Sequence, residues 1–193
     1  MEDKSLSLLG KDHPIVAFGQ HQFALFLAKN GERKLAIEKL QEVLRVYRDS
    51  FGAKNPNVAR RLNDLVRAQR GEGDTDAAKP SMYEALRLFD LVKENDGQAT
   101  YRANALHHSI SLHLLSALEF NSGNKDKGLE LICQAGQLLI DNSSKSGGDL
   151  VSEQGRKLMV LNTHANMLLE FLSNEDARVF AKRGSQLAMW TLI

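Results

Sequence analysis

Nine residues at 9–17, LGKDHPIVA, return at 51–59 as FGAKNPNVA. The copies share Gly10 and Gly52, Pro14 and Pro56, Val16 and Val58, and Ala17 and Ala59, each pair 42 positions apart. The chain holds only three prolines, and two of them stand in this frame. The register persists, for Gly31 matches Gly73, Ala36 matches Ala78 and Leu44 matches Leu86 at the same offset. Helical units of this size cannot bury their apolar faces alone and must stack on neighbours.

Proline is favoured at the first helical position, and the residue before it resists the helical conformation. DHP and KNP therefore mark helix starts, with His13 and Asn55 at the caps. The pattern predicts helices over about 14–29 and 33–49, broken by NGE at 30–32. Ala36, Leu40, Val43, Leu44 and Tyr47 give the second helix an apolar stripe at spacings of three and four. The matching glycines suit a turn that needs a permissive backbone, and the alanines five positions on let two helices approach closely.

Later copies are less regular. Gly123 lies 50 positions after Gly73, which implies about eight extra residues in or before a helix at 99–121. LNTHA at 161–165 echoes LNDLV at 62–66, and Ser173 with Asp176 forms a weak capping box for a fourth pair. DNSSKSGGD at 141–149 reads as a flexible linker. Pro80 conflicts with a helix over 76–94, so that helix starts near Lys79 or is kinked in its first turn. The expected fold is all-α, a single domain over 1–193 of about four antiparallel helix pairs at 14–49, 56–94, 99–142 and 150–190.

Helix pairs with a small residue in the first helix, a turn glycine and an alanine beyond it resemble tetratricopeptide repeats. The 42-residue spacing and the LGKDHPIVA linker are similar to the kinesin-light-chain type of that family. The helical C-terminal regions of SET and MYND methyltransferases carry comparable linkers, though no catalytic SET portion is visible in this sequence. The large aromatic expected early in the first helix is missing, with Gln20, Leu62, Leu112 and Leu161 in its place.

The resemblance implies a right-handed superhelix whose first helices line a concave groove. One column of groove positions is His21, Asn63, His113 and Asn162, and the next is Leu25, Arg67, Ala117 and Asn166. Arg60 and Arg70 flank the second column. Asn and His each donate and accept, which suits them to clamping a peptide backbone. Arg60, Arg67 and Arg70 have few acidic neighbours in sequence, Asp64 being the close one. That pattern favours an acidic or C-terminal carboxylate ligand. The resemblance thus implies a protein-interaction scaffold or adaptor, not an enzyme. The alternatives are a regulatory or substrate-recognition domain of a larger enzyme, or a self-associating structural subunit.

Composition narrows the classes. The formal net charge is +1, from 25 basic and 24 acidic residues, which removes the electrostatic footprint of a nucleic-acid binder. Cys133 is the only cysteine, so no internal disulfide forms, and its place in LELICQAGQLLI predicts a buried structural thiol. The start MEDKSLSLLG lacks a secretory apolar core, and no run is long enough to span a bilayer. The expected compartment is cytosolic, with the nucleus as the alternative.

His107, His108 and His113 do not share a helix face and lack a completing ligand, so no metal site is expected. GEGD at 71–74 follows a helix and lacks the Lys-Ser/Thr ending of a phosphate loop. No cofactor or catalytic group emerges. The C-terminal run ends in Leu187, Met189, Trp190, Leu192 and Ile193. These residues fold back on the fourth pair or form an interface with a partner, a second copy or more of a longer chain.

Overall fold

The computed structural model describes residues 9–143, apart from residue 96. It places α1 at Pro14–Lys29, α2 at Arg33–Phe51, α3 at Pro56–Glu72, α4 at Thr75–Asn95, α5 at Gly97–Asn121 and α6 at Lys125–Ser143. There is no strand among the described residues. Each helix packs on the next, and α3 also meets α5, so three helix pairs stack in chain order. The fourth pair expected at 150–190 falls outside the described residues.

The two prolines start helices as expected. His13 Nδ1 accepts the Ile15 N–H at 3.2 Å, and Asn55 Oδ1 accepts the Asn57 N–H at 2.9 Å. Proline supplies no donor of its own there, so the cap serves the next residue.

The turn inside each pair is built the same way three times. The N–H of Glu32, Asp74 and Asn124 reaches back five residues to the carbonyls of Leu27, Gln69 and Glu119, at 3.0, 2.9 and 2.9 Å. Gly31, Gly73 and Gly123 sit between with φ of 91°, 88° and 82°, a region that penalises any Cβ. The third turn repeats the first two bond for bond, which carries the repeat through the 50-residue offset. The extra length lies in α5, at 25 residues against 17 in α3.

Ala36, Ala78 and Gly128 occupy one position of the repeat and are buried. A Cβ on Gly128 would come within 2.7 Å of the Phe120 ring, so the two helices of that pair approach as closely as a small residue permits. One apolar cluster runs through all three pairs, from Ala17 to Ala135 by way of Leu40, Leu62, Met82, Phe89 and Leu118.

Polar contacts lock one pair to the next. Arg48 of α2 holds both carboxylate oxygens of Glu84 of α4 at 2.8 Å. Glu119 of α5 is buried and fully partnered. Its Oε1 accepts from the Tyr83 hydroxyl at 3.0 Å and lies 3.1 Å from Lys127 Nζ. Its Oε2 accepts from Asn124 at 2.7 Å and from Lys79 at 3.3 Å. Burial alone would raise its pKa, but hydrogen bonds from Asn124, Lys127, Tyr83 and Lys79 outweigh that and hold it down to about 2.

Two sequence expectations are corrected. α4 does not begin near Lys79; it begins at Thr75 and runs through Pro80, with Asp74 Oδ1 accepting the Ala77 N–H at 3.0 Å. The cap secures the first turn, so the helix tolerates one missing donor beyond it. Cys133 is exposed rather than buried. The buried stripe of α6 is Gly128, Leu131, Ile132 and Ala135, and Cys133 lies about 100° away from Ile132.

Candidate peptide-binding face

The first helices of the pairs, α1, α3 and α5, are joined by polar side chains. His21 of α1 meets Asp64 of α3, Nε2 to Oδ2, at 2.8 Å. With Nε2 protonated the ring donates to the carboxylate. Nδ1 is then left to accept from Gln22 at 3.3 Å, and Arg61 Nη1 lies across the ring edge, 2.8 Å from Nδ1 and 2.6 Å from Nε2. Arg61 also lies over the Tyr47 ring, 5.1 Å from its centroid.

On the other flank of α3, Arg60 donates to Asn104 Oδ1 of α5 at 2.9 Å. Asn63 Nδ2 donates to the His107 carbonyl at 3.1 Å, and its Oδ1 accepts from the Ser111 hydroxyl at 2.7 Å. His21, Asn63, Asn104 and Ser111 are all buried.

The sequence-derived columns therefore divide. His21 and Asn63 occupy equivalent positions, but each reaches across to the next first helix rather than into solvent. His113, third in that column, is half-buried. In the other column Arg67 is exposed, Leu25 half-buried and Ala117 buried. Arg70 is half-buried near the end of α3. Asn162, Asn166, Leu187, Met189, Trp190 and Ile193 lie outside the described residues.

Sequence reasoning did not single out Asn104, His107 or Ser111 as partners of the second repeat. The signal was present. α5 interrupts an apolar stripe with Asn104, His108, Ser109, Ser111, Ser116 and Glu119, all buried. Buried polar groups require partners, and here these come partly from the neighbouring pair.

The electrostatics of the face are one-sided. α3 carries Arg60, Arg61, Arg67 and Arg70 against Asp64 and Glu72. Glu72 lies 3.8 Å from Lys34, which leaves Asp64 to serve the arginines. It stands 3.6 Å from both Arg61 and Arg67 while also accepting from His21. Nε of Arg60 and of Arg61 is buried with no acceptor. Burial, and then Arg61, lowers the pKa of Arg60. His107 is lowered by burial first and then by Arg60, with Arg61 and Arg67 adding and Asp64 opposing. The arginines set the sign of the local potential.

A groove of about 520 Å³ separates α4 from α6 over a floor from α5. His108 forms part of its wall, stacked on Phe89 at 5.4 Å and hydrogen-bonded through Nδ1 with the Tyr101 hydroxyl at 3.2 Å. Burial chiefly lowers its pKa. No group of three or more metal-ligating side chains occurs among the described residues. No helix among them is long and apolar enough to cross a membrane.

No curated protein matches the chain at a significant level. Residues 15–91 match the family model for the tetratricopeptide repeat. That span holds nearly all of the first two helix pairs, and the third pair copies their turn bond for bond. Residues 15–91 are thus tetratricopeptide repeats.

Proposed function

We propose that this chain is a non-catalytic interaction module that holds an acidic peptide or helix against the face formed by α1, α3 and α5. Tetratricopeptide repeats generally mediate protein–protein interaction. The observation that carries the acidic preference is the shortage of acceptors on α3, where Asp64 stands between His21, Arg61 and Arg67. A ligand carboxylate supplies what the face lacks, and a guanidinium grips it through two parallel bonds.

The roles within the face follow burial. Arg67 is exposed and makes the first contact, and the half-buried Arg70 and His113 make further ones. Arg60 and Arg61 are tied to neighbouring helices and contribute field rather than direct bonds. His21 and Asn63 hold the first helices in register.

Arrays of acidic, neutral and basic peptides test the reading. The intact protein should retain acidic sequences in a salt-sensitive manner, because partly exposed charges are screened. Arg67→Glu should weaken that retention by about 10-fold or more while leaving the helical circular dichroism unchanged. Equal retention of basic and acidic peptides, or an unaffected Arg67→Glu variant, would refute it.

A further inference from the structure

α1 presents an apolar face opposite to the one it buries. Val16, Ala17, His21, Ala24 and Leu27 point into the array, whereas Ile15, Phe18, Phe23 and Phe26 are exposed. No Asp, Glu, Lys or Arg occurs between Pro14 and Ala28. A helix that is apolar all round has a partner on both sides.

The repeat register shows what this face is shaped for. Position Phe23 recurs as Leu65 in α3 and Leu115 in α5, and position Phe26 as Ala68 and Leu118. The exposures are 52% for Phe23 against 3% and 1%, and 61% for Phe26 against 4% and 0%. α3 and α5 differ from α1 in having a helix packed in front of them, α2 and α4 respectively. Phe23 and Phe26 thus occupy positions that the repeat elsewhere covers with a helix.

From this we infer that the α1 face is a homodimer interface, with α1 of one copy lying antiparallel on α1 of a second about a two-fold axis near Gln22. The described chain offers no other comparable apolar face. Phe51 leans on Tyr47 at 5.3 Å, Tyr83 is held by Glu119 and Lys127, and Leu9 and Leu35 stand apart. The face without charges therefore meets its best complement in itself, as a two-fold interface requires. About the axis Phe18 packs on Phe26 of the partner copy.

The area is of the right order. Four side chains of this kind, each about half exposed, present roughly 400 Å² of apolar surface per copy. Both copies with their flanking atoms bury on the order of 1,000 Å², the lower end of specific interfaces, which fits a reversible dimer.

Sedimentation equilibrium of the intact chain across the micromolar range tests this. A monomer–dimer equilibrium is expected, and Phe18→Glu/Phe26→Glu should raise its dissociation constant by at least about 100-fold. Both phenyls are exposed, so the variant keeps the core, and circular dichroism checks this. In a Cys133→Ser background, Gln22→Cys should oxidise to a disulfide-linked dimer, whereas Glu38→Cys on α2 should not. A monomeric wild type overturns the inference. So does a wild type that dimerises only once residues 1–8 are removed, since the chain then covers its own face. A dimer that survives the double substitution and dissolves with Leu187→Glu/Trp190→Glu also overturns it, in favour of the C-terminal segment.

Discussion

Replacing Glu119 by Gln keeps the side chain's size and removes its charge. The carboxylate accepts from Asn124, Tyr83 and Lys79 and lies beside Lys127, so it ties α4 to α5 and to the start of α6. An amide can accept through one atom only, and its NH2 would face donors already in place. The magnitude follows from the pKa, held at about 2 against an ordinary 4.5. That gap corresponds to about 3 kcal/mol, and screening at the half-exposed Lys127 reduces it to roughly 2–3 kcal/mol. The sign is set by the depression. The folded carboxylate binds its proton later than the unfolded one, so the contribution is whole above pH 4.5 and is lost as pH falls through about 2. Urea unfolding near neutral pH should show Glu119→Gln destabilised by about 2–3 kcal/mol, with the difference narrowing in acid. Equal stabilities at neutral pH, or a gap that does not shrink on acidification, would show that the four-donor cluster is not an anchor.

Three further outcomes follow from the same geometry. Gly128→Ala should destabilise by about 1–3 kcal/mol because its Cβ meets the Phe120 ring at 2.7 Å, while Gly136→Ala on the same helix, with nothing within 4 Å, should stabilise by about 0.5–1 kcal/mol; thermal unfolding of both compares them. Pro80→Ala should restore a helical donor to the Asp76 carbonyl and stabilise by about 1–3 kcal/mol, read from the urea midpoint. His107 and His108 are both held below the ordinary 6.5, so the unfolded chain takes up protons first and stability should decline as pH falls below about 6.5. His107→Gln/His108→Gln should flatten that decline.

The helices and turns were legible because their signals are local. Pro14, Pro56 and three glycines 42 and 50 residues apart act within one turn of chain, and the structure repeats their hydrogen bonds. The polar column was legible as a pattern but not as a role. Nothing in the residues near Asn63 reveals that Ser111, 48 positions later, stands against its amide. Cys133 was misread because the stripe of α6 could be phased on either side of Ile132, and the packing against α5 decides it. The two roles on α3 separate in the unfolding free energy. Asn63→Ala removes the donor to the His107 carbonyl and the acceptor of the Ser111 hydroxyl in a buried site, and should cost about 1–3 kcal/mol. Ser111 also reaches the His107 carbonyl of its own helix at 3.1 Å, which keeps the loss below that of a fully orphaned hydroxyl. Arg67→Glu, at an exposed position one turn on, should change stability by less than about 0.5 kcal/mol. Urea midpoints in the reverse order would mean that Asn63 is not a strut between α3 and α5 and that the exposed arginine carries the fold.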